Sequence, residues 1–295
     1  MPDRVRIAAH AKANLFLRVL ARETSGFHSI ESLFTLLELA DELVVQRIAQ
    51  GIELEVQGAD TGPTEDNLAY RAAALMLEAT GRRFGVRIAL TKNIPVQAGL
   101  GGGSSDAAAA LHAVNALAQH VVPRHEILQY AARLGSDVPF FASGAPFALA
   151  WGRGERLFRL PAPHPAPALL LVPPTGVSTK EAYERIDAAW LHEARRGAIV
   201  LDPDALATWG GIGRLGGNDF ESVIFGVHAD LKAAFERLAE TGPLAVRLSG
   251  SGSALIAIYR NEPSREAAEQ RLAGGDFRLV RTMTRAQAAP GPEVG

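Results

Sequence analysis

No cysteine occurs among the 295 residues. Disulfides, thiolate catalysis and cysteine-held zinc are therefore excluded, and the composition fits a reducing cytoplasm. A basic excess is missing as well: 30 Lys and Arg stand against 32 Asp and Glu, a net charge of −2. Neither a nucleic-acid partner nor an anionic membrane is expected on that balance, and any anion must be held locally by loops and a few cations. No stretch reaches the roughly 18 apolar residues of a membrane span. Asp3, Arg4, Arg6 and Lys12 interrupt the opening MPDRVRIAAHAK, so no signal peptide is expected. The eight histidines fall in no HExxH-like spacing, which argues against structural zinc. Internal repeats and long low-complexity runs are also missing. What remains is a chain 47% hydrophobic, ample for a core and long enough for one large or two moderate domains.

Residues 5–20 alternate. Ala9, Ala11, Ala13, Leu15, Leu17 and Val19 fall on one face, and His10, Lys12, Asn14, Phe16 and Arg18 on the other, which predicts a strand. Ser25-Gly26-Phe27-His28 reads as a turn, and strands are expected at 32–38, 42–48 and 52–57. Asp66-Asn67 caps an Ala-rich helix at 67–80 closed by Gly81. Val86, Ile88 and Leu90 mark a strand. A helix over 104–120 follows, with Ser104 or Ser105 as N-cap and Asp106 in its first turn. Another helix is expected from Pro123 to Leu134, then a turn at Ser136-Asp137-Val138-Pro139 and strands at 146–151 and 155–160. Pro161, Pro163, Pro165 and Pro167 mark the domain boundary, giving domains 1–160 and 161–295. The second half reads as strand 168–172, helices 178–191, 219–226 and 229–240, strands 244–249 and 254–259, helix 263–273 and strand 277–283. This is an α+β, split-βαβ layout. The Ala/Pro/Gly-rich tail, 286–295, is expected to fray.

The most informative segment is Pro95-Val96-Gln97-Ala98-Gly99-Leu100-Gly101-Gly102-Gly103-Ser104-Ser105. It follows a predicted strand and opens a predicted helix. Glycines let backbone N–H groups approach a ligand, and the helix start adds free donors and a positive dipole end, so the segment suits phosphate. It is not GxxxxGK[ST], because no Lys follows the glycines. It is not GxGxxG either, because Ser104 stands where the third glycine would be.

PVQAGLGGGSSDAA resembles the phosphate-binding motif of the GHMP kinase superfamily. AKANLFLRVLARETSGFHSIESLF, LGSDVPFF, NDFE and RLSGSGSALIAI are similar to further segments of one branch, so the resemblance runs from Lys12 to Ile258. It implies a two-domain fold: an N-terminal domain like ribosomal S5 domain 2 and a C-terminal ferredoxin-like domain, with the site between them. It also implies a monomeric or homodimeric cytoplasmic kinase that uses ATP and Mg²⁺ on a small cytidyl-methylerythritol substrate.

Carried over residue by residue, the resemblance makes Lys12 a catalytic cation and Asp137 the general base. Asn14, Phe27, His28 and Tyr183 would hold substrate, with Phe27 standing where the family usually has Tyr. The glycine segment, Asn67, Lys92, Gly250, Ser251 and Gly252 would line the nucleotide site. Protein ligands of Mg²⁺ are not readable. Taken without the resemblance, the same residues have blander readings: Lys12 a solvated strand residue, Asp137 a cap or Asx-turn, Phe27 a core anchor, Asn67 a helix cap, Lys92 a surface cation. Gly250–Ser253 would be a hairpin turn, and Asp106 a carboxylate complementing the helix dipole. Within the superfamily, homoserine- or mevalonate-type kinases and a non-catalytic ligand sensor are the alternatives.

Overall fold

A computed structural model describes residues 2–174, 176–190 and 201–295. The chain opens with a long antiparallel hairpin, β1 (Arg4–Arg22) and β2 (His28–Ile48). The turn expected around Ser25–His28 joins them, but the strands expected at 32–38 and 42–48 are one continuous strand. After β3 (Ile52–Gln57) comes α1 (Leu68–Ala79) and then β4 (Gly85–Thr91), which lies parallel to β3. α2 (Gly102–Leu117), α3 (Arg124–Leu134) and α4 (Val138–Ala142) lead to β5 (Phe147–Gly152) and β6 (Arg156–Arg159). β2 is long enough to serve two partners: residues 42–48 pair with β4 and residues 30–35 with β5.

The second half contains β7 (Pro167–Val172), α5 (Thr179–Trp190), α6 (Pro203–Leu206), α7 (Trp209–Arg214), α8 (Asp219–Ile224), α9 (Ala229–Ala239), β8 (Ala245–Leu248), β9 (Leu255–Ile258), α10 (Glu262–Leu272), β10 (Arg278–Met283) and β11 (Glu293–Val294). Its four-stranded sheet runs β10-β7-β9-β8, antiparallel throughout. Counted in chain order within this half, that is 4-1-3-2, the order of the ferredoxin-like split βαβ arrangement. The expected end of α5 at residue 191 lies outside the described residues. α6 and α7 have no counterpart in the sequence reading, since Gly210, Gly211 and Gly213 suppress the helical signal. No helix among the described residues is long and apolar enough to cross a membrane.

Four expectations are corrected. α2 begins at Gly102, two residues before the expected start, and its N-cap is left-handed Gly101 (φ 72°) rather than Ser104 or Ser105. Ser136–Pro139 is the entry to α4, not a free turn, because Pro139 suits a first helical turn. Strict alternation in β1 fails at the register shift between Asn14 and Phe16, whereas the shift between His10 and Lys12 places its extra residues on β2. At the former β1 carries one extra residue, so Phe16 joins the buried cluster of Ala13 and Leu15 instead of the polar face. The tail does not fray: Val5 and Arg6 of β1 pair with Val294 and Glu293.

One core cluster fills the first half under α1 and α2, and another joins the halves. The joining cluster packs Ala11, Ala13, Leu100 and Phe147 against Ala168, Leu170, Trp209, Ile256 and Ile258. The cleft described next lies along this junction.

Candidate active site

Strand period and hydrogen bonding place Lys12 and Asn14 side by side. No register shift separates them, so both side chains leave one face of β1. Lys12 Nζ donates to Asn14 Oδ1 at 2.6 Å, and Asn14 Nδ2 donates to Ser32 Oγ at 2.8 Å. Lys12 Nζ also lies 3.4 Å from Asp137 Oδ2 and 5.2 Å from the Phe34 ring centroid. The lysine side chain is only 4% exposed, so the solvated reading fails. Asp137 is the N-cap of α4, yet its side chain makes no capping bond. Its carboxylate, 30% exposed, is left facing Lys12 and the cleft.

The glycine segment curls through left-handed Gln97 (φ 55°), Gly99 (φ 75°) and Gly101 (φ 72°) before entering α2. A Cβ on Gly99 would sit 2.1 Å from the Ser249 carbonyl oxygen, so only glycine allows this approach. The β8–β9 loop, residues 249–254, clasps the segment: Ser249 Oγ donates to Gly99 O at 2.9 Å, and Ala254 N donates to Ala98 O at 3.1 Å. Gly250–Ser253 is thus a hairpin connection and a wall of the site at once. Asn218 braces this loop, donating through Nδ2 to the carbonyls of Leu248 and Gly250.

Two clefts meet at the segment. One, of about 640 Å³, is lined by Lys12, Asn14, Phe27, His28, Asp137, Tyr183, Gly250 and Ser251. The other, of about 600 Å³, is lined by Asn67, Lys92, Pro95 to Ser104 and Asp106. Gly99, Gly101 and Ser104 line both. Gly252 faces a smaller recess with Gln97 and Gly99. Ser105 is in neither cleft: its N–H is bonded to Gly101 O, and the residue borders an apolar recess behind α2. Asn67 caps α1, accepting from Ala69 N, while also lining the second cleft.

At the mouth of the first cleft Phe27 is 54% exposed, which overturns its reading as a core anchor. The Arg153 guanidinium lies 4.0 Å from the Phe27 ring centroid and is held there by Glu23. His28 stacks on Tyr183 at 4.5 Å and hydrogen-bonds Asp187 at 2.7 Å; Arg22 reaches the same carboxylate at 3.3 Å. Burial, with Asp137 nearby, pushes the Tyr183 hydroxyl up to about 12. It is neutral near pH 7. Arg153, Asp187, Ser249 and Asn218 were not singled out from sequence. NDFE, which contains Asn218, and RLSGSGSALIAI, which contains Ser249, carried the only signals.

Lys92 is no surface cation. It is buried, bonded to Asp41 and, at 2.6 Å, to Asp106. Asp106 lies beyond the first turn of α2 and faces Lys92, so it does not serve the helix dipole. Burial disfavours the Lys92 charge, but the two aspartates more than offset it and raise its pKa.

Residues 67–145 match the family model for the GHMP kinases N terminal domain, and residues 204–275 match that for the GHMP kinases C terminal. A 4-diphosphocytidyl-2-C-methyl-D-erythritol kinase of Pelotomaculum thermopropionicum is 38% identical over 287 residues, covering 94% of this chain and 96% of that one. The chain belongs to the GHMP kinases, in the 4-diphosphocytidyl-2-C-methyl-D-erythritol kinase family. A solved 4-(cytidine 5'-diphospho)-2C-methyl-D-erythritol kinase superposes with a TM-score of 0.80 at 38% identity, covering 97% of this chain and 100% of that one. A mevalonate kinase of L. major shares the fold, with a TM-score of 0.70 at 14% identity over 96% of this chain and 97% of its own.

Proposed function

We propose that this GHMP kinase transfers a phosphoryl group from ATP to the 2-hydroxyl of 4-diphosphocytidyl-2-C-methyl-D-erythritol, giving the 2-phosphate in the non-mevalonate route to isoprenoid precursors. The observation that carries this reading is the Lys12–Asp137 pair, set in the first cleft beside the wall that both clefts share.

ATP, accompanied by Mg²⁺, would supply the phosphoryl group. The residues fit a triphosphate. The N–H groups of Gly102, Gly103 and Ser104 open α2 without intrahelical acceptors, and the close approach at Gly99 leaves room for no side chain. Among the described residues no three His, Asp or Glu groups are arranged to hold a metal, and Mg²⁺ would arrive with the nucleotide, bound chiefly by its phosphates. In our reading Asn67, Lys92 and the segment from Pro95 to Ser104 hold the nucleotide in the second cleft. Gly250, Ser251 and Gly252 cover it.

Asp137 accepts the proton of the substrate hydroxyl. Its lack of a capping bond and its partial exposure support that role. Lys12, fixed by Asn14 and Asp137, offsets charge developing at the transferred group. Phe27 offers a ring face to the cytosine, and His28, Tyr183 and Asn14 shape the remainder of the pocket. The division of the chain into domains 1–160 and 161–295 and a cytoplasmic location belong to the same proposal.

The experiment is ATP consumption by the purified chain with cytidyl-methylerythritol, mevalonate and homoserine substrates in parallel. Turnover on the first alone supports the assignment. Turnover only on another overturns the substrate and leaves the kinase.

A further inference from the structure

Three buried charged groups meet behind the glycine segment: Asp41 on β2, Lys92 just past the end of β4, and Asp106 on α2. Their side chains are 0%, 3% and 4% exposed. Lys92 Nζ bonds to one oxygen of each aspartate. The second Asp41 oxygen accepts the N–H groups of Asn93 at 2.5 Å and Ile94 at 2.8 Å. Each Asp41 oxygen thus has at least one donor, and three donors leave a lone pair open. Asp106 differs: its Oδ1 is buried and has no donor.

A buried carboxylate oxygen without a donor is costly. Two carboxylates and one ammonium also leave one uncompensated negative charge in the interior. A single proton removes both problems. On Asp106 Oδ1 it becomes a donor, the neighbouring Asp41 carboxylate can accept it, and the cluster is neutral. Lys92 Nζ bonds to both aspartates at once, so their carboxyl groups are neighbours on one ammonium. We propose that Asp41 and Asp106 share one proton, and that Asp106 in its protonated form is the positioning residue that sets Lys92 for nucleotide phosphate binding.

Burial, aided by the Asp41 charge and hydrogen bond and opposed by Lys92, pushes the Asp106 carboxyl up to about 7. The charged groups that bear on Asp106 are Lys92 and Asp41, and those that bear on Lys92 are the same two aspartates. Lys92 reaches the base of α2, its Nζ 3.3 Å from where a Cβ on Gly102 would sit, and both Lys92 and Asp106 line the second cleft. Phosphate charge arriving there favours the neutral form of Asp106 and leaves more of the Lys92 charge for the ligand. Nucleotide binding therefore takes up a proton above pH 7.

This inference rests on the nucleotide reading of the second cleft, and its test separates the two. ADP binding is measured by calorimetry from pH 6 to 9, in buffers of differing ionisation enthalpy, for the whole chain and for Asp106→Asn and Asp106→Ala. Asn keeps an acceptor for Lys92 and gives Asp41 a permanent donor, so it imitates the shared proton. The original chain is expected to take up close to one proton near pH 8 and to lose affinity by up to about tenfold per pH unit above 7 relative to Asp106→Asn. Asp106→Asn should bind ADP with no such uptake, and Asp106→Ala should bind weakly throughout. Failure of the original chain to bind ADP overturns the nucleotide reading. Binding with the same proton count in the original and Asn chains overturns the shared proton, as does an Asn variant that binds as weakly as Ala.

Discussion

Lys12 Nζ lies 3.4 Å from Asp137 Oδ2, bringing a residue of the first strand to one at the start of a helix 125 positions later. Asn14 holds the lysine from one side and the Phe34 ring lies 5.2 Å from it, so the fold itself fixes the lysine of the pair. Asp137→Asn and Lys12→Met should each lower kcat by roughly 10²-fold or more, the scale of a lost proton acceptor or electrostatic partner. The asparagine variant should melt close to the original, because the Asp137 side chain caps nothing. Wild-type-like turnover in either variant, measured by steady-state kinetics, overturns the roles.

Phe27 offers an exposed ring at the cleft mouth, steadied by Arg153. Stacking of a base on an aromatic ring contributes about 1–3 kcal/mol. Phe27→Ala should therefore raise KM for the cytidyl substrate roughly 5- to 150-fold, while KM for ATP stays put. Phe27→Tyr should behave like the original. An equal change in both KM values would instead point to general damage of the cleft.

The glycines of the segment differ in what they tolerate. A Cβ on Gly99 meets the Ser249 carbonyl oxygen at 2.1 Å with φ at +75°, whereas one on Gly103 meets only Leu68 Cδ1 at 3.8 Å. Gly99→Ala should cost more than about 1 kcal/mol and open the contact between the two halves. Gly103→Ala, inside α2, should leave the melting temperature unchanged or raise it, since alanine is favoured over glycine in a helix by about 1 kcal/mol. Thermal melts of the two variants side by side decide this; equal midpoints would contradict the packing.

One buried and one half-buried histidine predict acid sensitivity. His10 donates to Leu37 O at 2.9 Å, and His112 donates to Ala142 O at 3.0 Å. Burial pushes both below the ordinary 6.5, with Arg285 adding to the effect at His10 and Arg124 at His112. Near and below that value the unfolded chain binds protons that the folded chain refuses. Their stability contribution is therefore whole above pH 6.5 and lost as pH falls. The melting temperature should drop between pH 7 and 5, and more gently in His112→Gln. Parallel curves for the two chains would rule out His112 as a source.

Much of this was legible because it was local. The period-two spacing of Lys12 and Asn14 put them on one face, and the Asp66-Asn67 pair marked where a helix begins. Strand–helix alternation in the second half gave the ferredoxin-like layout before any pairing was known. The losses came from contacts between distant residues. Nothing near Lys92 announces Asp41, 51 positions away, and so a buried cation read as a surface one. Phe16 was misassigned because a bulge is invisible to a strict alternation. α2 started early because glycines, poor helix formers, are tolerated in its first turn, where α2 meets the clefts. Asn218 sat in a noted motif, but its two carbonyl partners lie 30 and 32 residues on.

The pairing of Val5 and Arg6 with residues 294 and 293 also bears on how the molecule is made. Leu36 O and Leu37 likewise wait for Arg285 and Thr284. The start of β1 thus keeps an open edge until its partners, 287 and 289 positions later, have been synthesised. Such sequence-distant pairing closes late and slowly. A growing chain stalled before residue 293 would leave the Val5–Arg6 end of β1 unpaired, and it is there that a nascent-chain chaperone or a mispaired strand would have its opportunity.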